Sequence, residues 1–435
     1  MSFRTGIVAA VVVCCSWAAE KPLTEAERQL NIESFEHVWT TVRDHHWDPK
    51  MNGVDWRAVH DELRPKIDKA KTMDQARAIM SDMLSRLKET HFAIEPAEVY
   101  EDLGTDDDSA GGEKPAREGS PGITLRVIDG RALVTAVDAD SPAARAGLKP
   151  GWELLRVDGK DLVPRLKRVR DQHASSTYLD LLLERSAESP LTGPVGTKVK
   201  ASFSDGAGHT EDLTLDRARP RGALAKLGNL PPLYFWVESK KVRPDIGMVR
   251  FNIFFQPEAL VKSVQDMVES CRECSGIIID VRGNPGGLGA LAMGLSGWFV
   301  DKAGLQLGTM YLRDASLKFV VFARPEPFRG PLAILVDGCS ASTSEIFAEG
   351  LKDLGRARIF GTRTAGAALP SVFERLPNGD GFQYAIANYI SVGGKPLEGI
   401  GVTPDEEVRL TQKALLAGQD PVLDAAVAWI EKQKN

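Results

Sequence analysis

Apolar positions along the chain change their period several times, and each change marks a different kind of structure. Between residues 24 and 90 they recur at helical spacing: Phe35, Val38, Trp39 and Val42, then Trp56, Val59 and Leu63, then Ala76, Ile79, Met80, Met83, Leu84 and Leu87. Residues three and four apart share one helix face, so residues 21–100 are predicted as a small helical bundle. The period becomes alternating at Lys88-Glu-Thr-His91-Phe92-Ala-Ile-Glu-Pro96, which leaves His91 at an element boundary. Residues 101–118 are Asp, Gly, Ser and Glu with almost no apolar content, the composition of a mobile linker.

From 119 to 218 the pattern turns to short strands, at 122–127, 132–137 and 154–157, with a capped short helix at 141–147 that ends in glycine. Residues 178–185 predict an additional, inserted helix. From 230 to 410, strands at 246–251, 276–281, 332–336 and 357–360 alternate with helices at 257–268, 288–299 and 345–354, which implies a mixed sheet covered by helices. An amphipathic helix at 421–432 lies within the closing segment, 411–435. The fold class is therefore multidomain α+β and α/β.

The richest chemistry lies where the apolar run 331–336 stops at Asp337-Gly338 and Cys339-Ser-Ala-Ser-Thr-Ser-Glu345 leads into a helix. A hydroxyl at such a junction sits among free backbone N–H groups at the positive end of the helix dipole, where an oxyanion can be stabilised. The plainer reading makes Ser340, Ser342 and Ser344 N-cap residues, with Ser342 and Glu345 forming a capping box.

Ser-Ala-Ser-Thr-Ser-Glu-Ile, with Leu351, Lys352 and Asp353 behind it, resembles the Ser-Ala-Ser-Ala-Ser-Glu-Ile motif of the C-terminal processing (tail-specific) serine proteases. The resemblance implies that Ser342 attacks the substrate. Ile277-Ile-Ile-Asp-Val-Arg-Gly-Asn-Pro-Gly-Gly287 resembles the same family's Asp-Leu-Arg-x-Asn-x-Gly-Gly turn, which implies an oxyanion hole built by the N–H groups of Gly287 and Thr343. Ser141-Pro-Ala-Ala-Arg-Ala-Gly-Leu-Lys-Pro-Gly-Trp-Glu-Leu-Leu-Arg-Val-Asp-Gly159 is similar to a PDZ signature. It implies a barrel-like module that adds a substrate C-terminus as an edge strand, with Gly122, Ile123, Thr124 and Leu125 as the peptide-binding segment. Resemblance extends over nearly the whole chain after residue 20.

The family usually pairs its serine with a lysine, and the matching stretch here, Gly361-Thr-Arg-Thr-Ala-Gly-Ala-Ala-Leu369, has Ala367 at that position. No lysine follows until Lys395. The Leu-x-x-x-His-Phe and Arg-Thr-Ala-Gly segments resemble the tricorn-like branch, which implies His91 as base and Glu398, acting directly or through Thr90, as the residue that orients it. The implied function is a serine endopeptidase working through an acyl-enzyme on polypeptide substrates. The alternative is a pseudoprotease that binds tails without cleaving them. An esterase-type hydrolase ranks below both, because no Gly-x-Ser-x-Gly elbow surrounds Ser342.

Composition narrows the setting. The chain has 435 residues, 43% of them hydrophobic and 26% charged, with a formal net charge of −6, which gives neither a nucleic-acid footprint nor a basic patch for an anionic membrane. Residues 1–20, with Arg4, an apolar stretch and Ser16-Trp-Ala-Ala19, read as a secretory signal peptide, so the mature protein is expected to be exported, periplasmic or extracellular, without a membrane span. Cys14 and Cys15 fall in that segment. Cys271 and Cys274 form a local disulfide or two inert thiols, and Cys339 is a small turn residue. No metal or organic cofactor is implied, and His37, His45, His46, His60, His173 and His209 read as surface or packing residues.

Overall fold

The computed structural model describes residues 22–97, 119–174, 176–226, 228–230 and 232–433. The expected signal peptide and linker lie outside the described residues.

The predicted N-terminal helices form at Glu25–His45, Trp56–Ile67 and Met73–Ser85. Each starts at a side-chain cap: Thr24 accepts from Glu27 N–H, Asp55 from Ala58 N–H and Thr72 from Gln75 N–H. Their apolar faces do not close on one another alone. Phe35, Val38, Leu63, Met80 and Leu84 share a core with Leu376, Phe382 and Tyr384, which come from far along the chain. Strand Ala93–Glu95 pairs antiparallel with Gly381–Ala385, which pairs in turn with Ser371–Arg375. The helical region is thus sewn to the α/β core immediately after His91.

That core is a six-stranded sheet in the order Val237–Arg243, Ile246–Phe251, Gly276–Asp280, Leu332–Val336, Arg358–Gly361, Glu406–Glu407, antiparallel at the first pair and parallel after it. Its inner strands are largely apolar because both faces are covered, with Arg250 and the buried Asp280 as charged exceptions at strand ends. Ile277, Ile279, Leu332 and Ile334 pack with Phe254 and Phe347, while Ile278, Ala333 and Leu335 face Val427 and Ile430 of the closing helix Pro421–Lys432. A separate three-stranded sheet, Ser316–Val320, Gln306–Leu312, Ala387–Ser391, packs beside it. Cys271 and Cys274 are disulfide-bonded in the turn after helix Pro257–Ser270.

The module at 119–218 carries the short strands expected of it. Its strands run Ile123–Ile128, Arg131–Val137, Glu153–Val157, Lys198–Ser204, Thr210–Asp216, with Lys160–Asp161 added to the third, as an antiparallel sheet that is not closed into a full barrel, its two ends joined only by the bridge between Ser120 and Ala218 (2.8 and 3.0 Å). Helices Leu162–Gln172 and Leu179–Glu188 supply Leu162, Leu166, Leu183 and Ala187 to its core. Side chains from these helices cover one apolar face of the sheet. The inserted helix runs three residues further than its predicted end and lies against the edge strand Ile123–Ile128. Among the described residues, no helix is long and apolar enough to cross a membrane.

Candidate active site

Ser342 stands at the N-cap of helix Thr343–Asp353 with φ +54°, a left-handed conformation that a non-glycine residue adopts only under constraint. The constraints can be named. Asp337 accepts from Gly283 N–H (2.8 Å) and Cys339 N–H (3.0 Å), Ser340 Oγ donates to Val281 C=O (2.8 Å), and Ser344 Oγ donates to Asn284 C=O (2.9 Å). Two of the three serines are therefore fasteners between the 337–344 turn and the 280–287 turn. The capping-box reading is realised on its Glu345 side, whose carboxylate accepts from Ser342 N–H at 3.0 Å.

The two glycines of the neighbouring turn press against this serine. A Cβ on Gly286 would fall 2.6 Å from Ser342 Cβ and 2.8 Å from Thr343 N, and one on Gly287 would fall 2.3 Å from Phe254 O. Their φ values of +105° and +127° add a second requirement for glycine. Asn284 Oδ1 accepts from Gly286 N–H (2.9 Å), and Thr343 Oγ1 donates to Gly287 C=O (2.7 Å), so the residues expected to supply the oxyanion donors are tied to each other.

His91 lies on the other side, also in a left-handed conformation (φ +61°), and is half-buried. Its Nδ1 is 2.7 Å from Thr90 Oγ1, which donates to Glu398 Oε2 at 3.0 Å. Glu398 also accepts from Thr90 N–H (3.0 Å) and Ala368 N–H (2.9 Å). With the threonine proton committed to the carboxylate, the hydroxyl oxygen accepts from Nδ1–H, and Nε2 is left as the basic nitrogen. Burial, reinforced by the charge of Arg185, pushes His91 down to about 4, so the ring is neutral at pH 7. Burial raises Glu398 above the usual carboxylate range, against the hydrogen bonds from Ala368 and Thr90. The segment is steadied from behind by His46, fully buried, whose Nε2 lies 2.8 Å from Glu89 and whose ring stacks on Phe92. His46 is a packing residue, as its lack of a motif implied.

The position expected for a lysine touches the serine directly: Ala367 C=O accepts from Ser342 N–H at 2.8 Å. Lys395 is engaged elsewhere, its ammonium 3.2 Å from Glu349, which lies seven residues, or about 10 Å, further along the helix from Ser342. Cys339 is buried and its thiol is pushed well up by burial and by Glu184, so it is no rival nucleophile at neutral pH.

The segment expected to bind peptide, Gly122 to Leu125, begins the edge strand of its sheet, with Gly122 at φ +81° against Ser141. Leu125 N–H donates to Glu188 Oε1 of the inserted helix at 2.8 Å. The next residue, Arg126, reaches into the core: its guanidinium donates to Asp337 (2.8 Å), Glu184 (2.6 Å) and Leu125 C=O (2.8 Å). Sequence reasoning missed Arg126 and read Asp337 only as a turn signal. A fixed strand position beside a helix that had not been paired with it gave no local sign of the contact.

Comparison with known proteins follows the same division. Residues 245–408 match peptidase family S41. Residues 27–85 match the C1 domain of tricorn protease. Homologues of the S41 core include the carboxy-terminal processing protease CtpA of Bacillus subtilis, 25% identical over 306 residues, which cover 70% of this chain and 58% of that protein. Tricorn protease homolog 1 of Streptomyces coelicolor is 27% identical over 436 residues, covering 91% of this chain and 34% of the relative. The carboxyl-terminal-processing protease of Synechocystis is 25% identical over 401 residues, covering 88% and 81%. The chain thus spans well under two thirds of the first two. In fold it is similar to the photosystem II D1 C-terminal processing protease (TM-score 0.56, 20% identity, 92% of this chain and 99% of that one). Mature CPAF is similar as well (TM-score 0.60, 15% identity, 94% and 97%).

Proposed function

We propose that the chain is a serine endopeptidase of the tail-processing kind that uses histidine, not lysine, as its base. Ser342 attacks a peptide carbonyl while His91 Nε2 takes its proton. The Gly287 and Thr343 N–H groups hold the oxyanion, and the resulting acyl-enzyme is released by water. Glu398 acts through Thr90 to fix the histidine tautomer and to stabilise the imidazolium. The observation that carries this reading is the hydrogen-bonded line Glu398–Thr90–His91, which sits across loop 364–368 from Ser342. Polypeptide substrates reach the site in part through the PDZ-like sheet, at the edge 122–125, and the protein acts after export.

The test is covalent labelling with a fluorophosphonate, comparing wild type with Ser342→Ala and His91→Ala. Labelling of wild type that is lost in both variants supports the assignment. Labelling that survives His91→Ala undiminished removes the base, and an unlabelled wild type favours the tail-binding pseudoprotease, with Ala367 as its cause.

A further inference from the structure

Three successive backbone N–H groups, at 366, 367 and 368, point at two different carboxylates, Glu345, which is buried, and Glu398, which is half-buried. Gly366 N–H (2.8 Å) and Ala367 N–H (3.0 Å) donate to Glu345, and Ala368 N–H donates to Glu398. Glu345 rides on the nucleophile's helix and also accepts from Ser342 N–H; Glu398 holds Thr90 and, through it, His91. Glu345 is fully buried and receives a fourth bond from Thr364 Oγ1 (2.5 Å). A cap at a helix end needs one such bond, made in water. Four donors converging on a fully buried carboxylate amount to a joint.

Resting on the reading of Ser342 and His91 given above, we propose that the ionised carboxylate of Glu345 is a positioning group that sets the nucleophile in register with the histidine by clamping Ser342 N–H and loop 364–367 in one frame. Protonation would put a hydroxyl where two donors now point and would release one side of the clamp. Burial pushes Glu345 up to about 7, opposed by the hydrogen bonds from Thr364, Gly366, Ala367 and Ser342. The charged groups on the elements around it are engaged elsewhere. Arg363 donates to the carbonyls of Ile400 and Thr177, Glu349 pairs with Lys395, and Glu398 is bonded to Thr90 and Ala368. Among the described residues no cation forms an ion pair with Glu345.

The consequence separates this carboxylate from the base. A neutral histidine near 4 would leave labelling constant down to that pH, whereas the clamp places an acid limb near 7. The experiment is the second-order rate of fluorophosphonate labelling from pH 4 to 9 for wild type, Glu345→Gln and Thr364→Val, with thermal unfolding of each. Wild type is expected to lose rate below about pH 7. Glu345→Gln is expected to be slowed on the order of 10²-fold, as for a small misplacement of reacting groups, and to lose that limb. Thr364→Val removes a bond that favours the ionised form, so its limb moves to higher pH.

A merely structural role would slow Glu345→Gln uniformly and keep the limb, which would then belong to His91; that result overturns the proposal. A wild-type limb near 4, or an unmoved limb in Thr364→Val, overturns it as well and needs no folded Glu345 variant. Absence of wild-type labelling at every pH would instead overturn the enzyme reading itself.

Discussion

Thr90→Val is the most direct perturbation of the proposed catalytic line, because valine keeps the shape of threonine and removes only the hydroxyl. That hydroxyl lies 2.7 Å from His91 Nδ1 and 3.0 Å from Glu398 Oε2. On the proposed mechanism the substitution takes away the acceptor that would stabilise the imidazolium in the transition state, a hydrogen bond to a charged group worth about 1.5–3 kcal/mol. At 1.36 kcal/mol per tenfold, kcat should fall about 10- to 10²-fold with KM little changed. Glu398 keeps Thr90 N–H and Ala368 N–H, so its carboxylate remains satisfied and the fold should persist. Thr90→Ser should recover most of the rate. The assay is single-turnover labelling by a fluorophosphonate together with steady-state hydrolysis of an unstructured protein. A Thr90→Val enzyme as fast as wild type would refute the relay and would leave Glu398 as a carboxylate that organises only the loop.

Gly286→Ala should cost about 10²- to 10³-fold in labelling rate, the range for loss of one oxyanion donor, because the new Cβ would meet Ser342 Cβ at 2.6 Å, Thr343 N at 2.8 Å and Ala341 O at 2.9 Å. Retained activity there would show that the two turns are not in register for catalysis. Arg126→Ala leaves Asp337 and Glu184 facing each other without their cation, and breaking a buried pair this way costs about 3 kcal/mol, read as a lower midpoint in thermal or urea unfolding. Arg126→Lys should not rescue it, since one ammonium cannot span both carboxylates and Leu125 C=O.

Much of the fold could be read from the order of residues. The helices near 25–45, 56–67, 73–85 and 421–432, and the buried strands at 246–251, 276–280 and 332–336, formed where periodicity placed them, because patterning over a dozen residues fixes which face is buried. Helix boundaries moved by a few residues: the one expected at 288–299 forms at Gly289–Ser296, and the one expected at 345–354 begins at Thr343. The strand–turn–helix around Ser342 was legible for the same local reason, whereas the pair of glycines at 286 and 287 stood out only through the resemblance of their turn to a known motif. How far the barrel-like module closes could not be read from the order of residues, because closure depends on whether its distant ends meet, and in the fold they meet only at the single bridge between Ser120 and Ala218.

The sequence by itself determined the two halves of the candidate site as separate segments: a hydroxyl at a helix start, and a histidine where a helical bundle ends. Only the tertiary structure decided that they share one loop, because the N–H groups of residues 366–368 are backbone groups with no residue-type signal, and their division between Glu345 and Glu398 exists only once distant chain segments have packed. Glu345 shows the same limit most plainly. In the sequence it is the fourth residue of a capping box; in the fold, removal from water turns an ordinary cap into a titratable clamp.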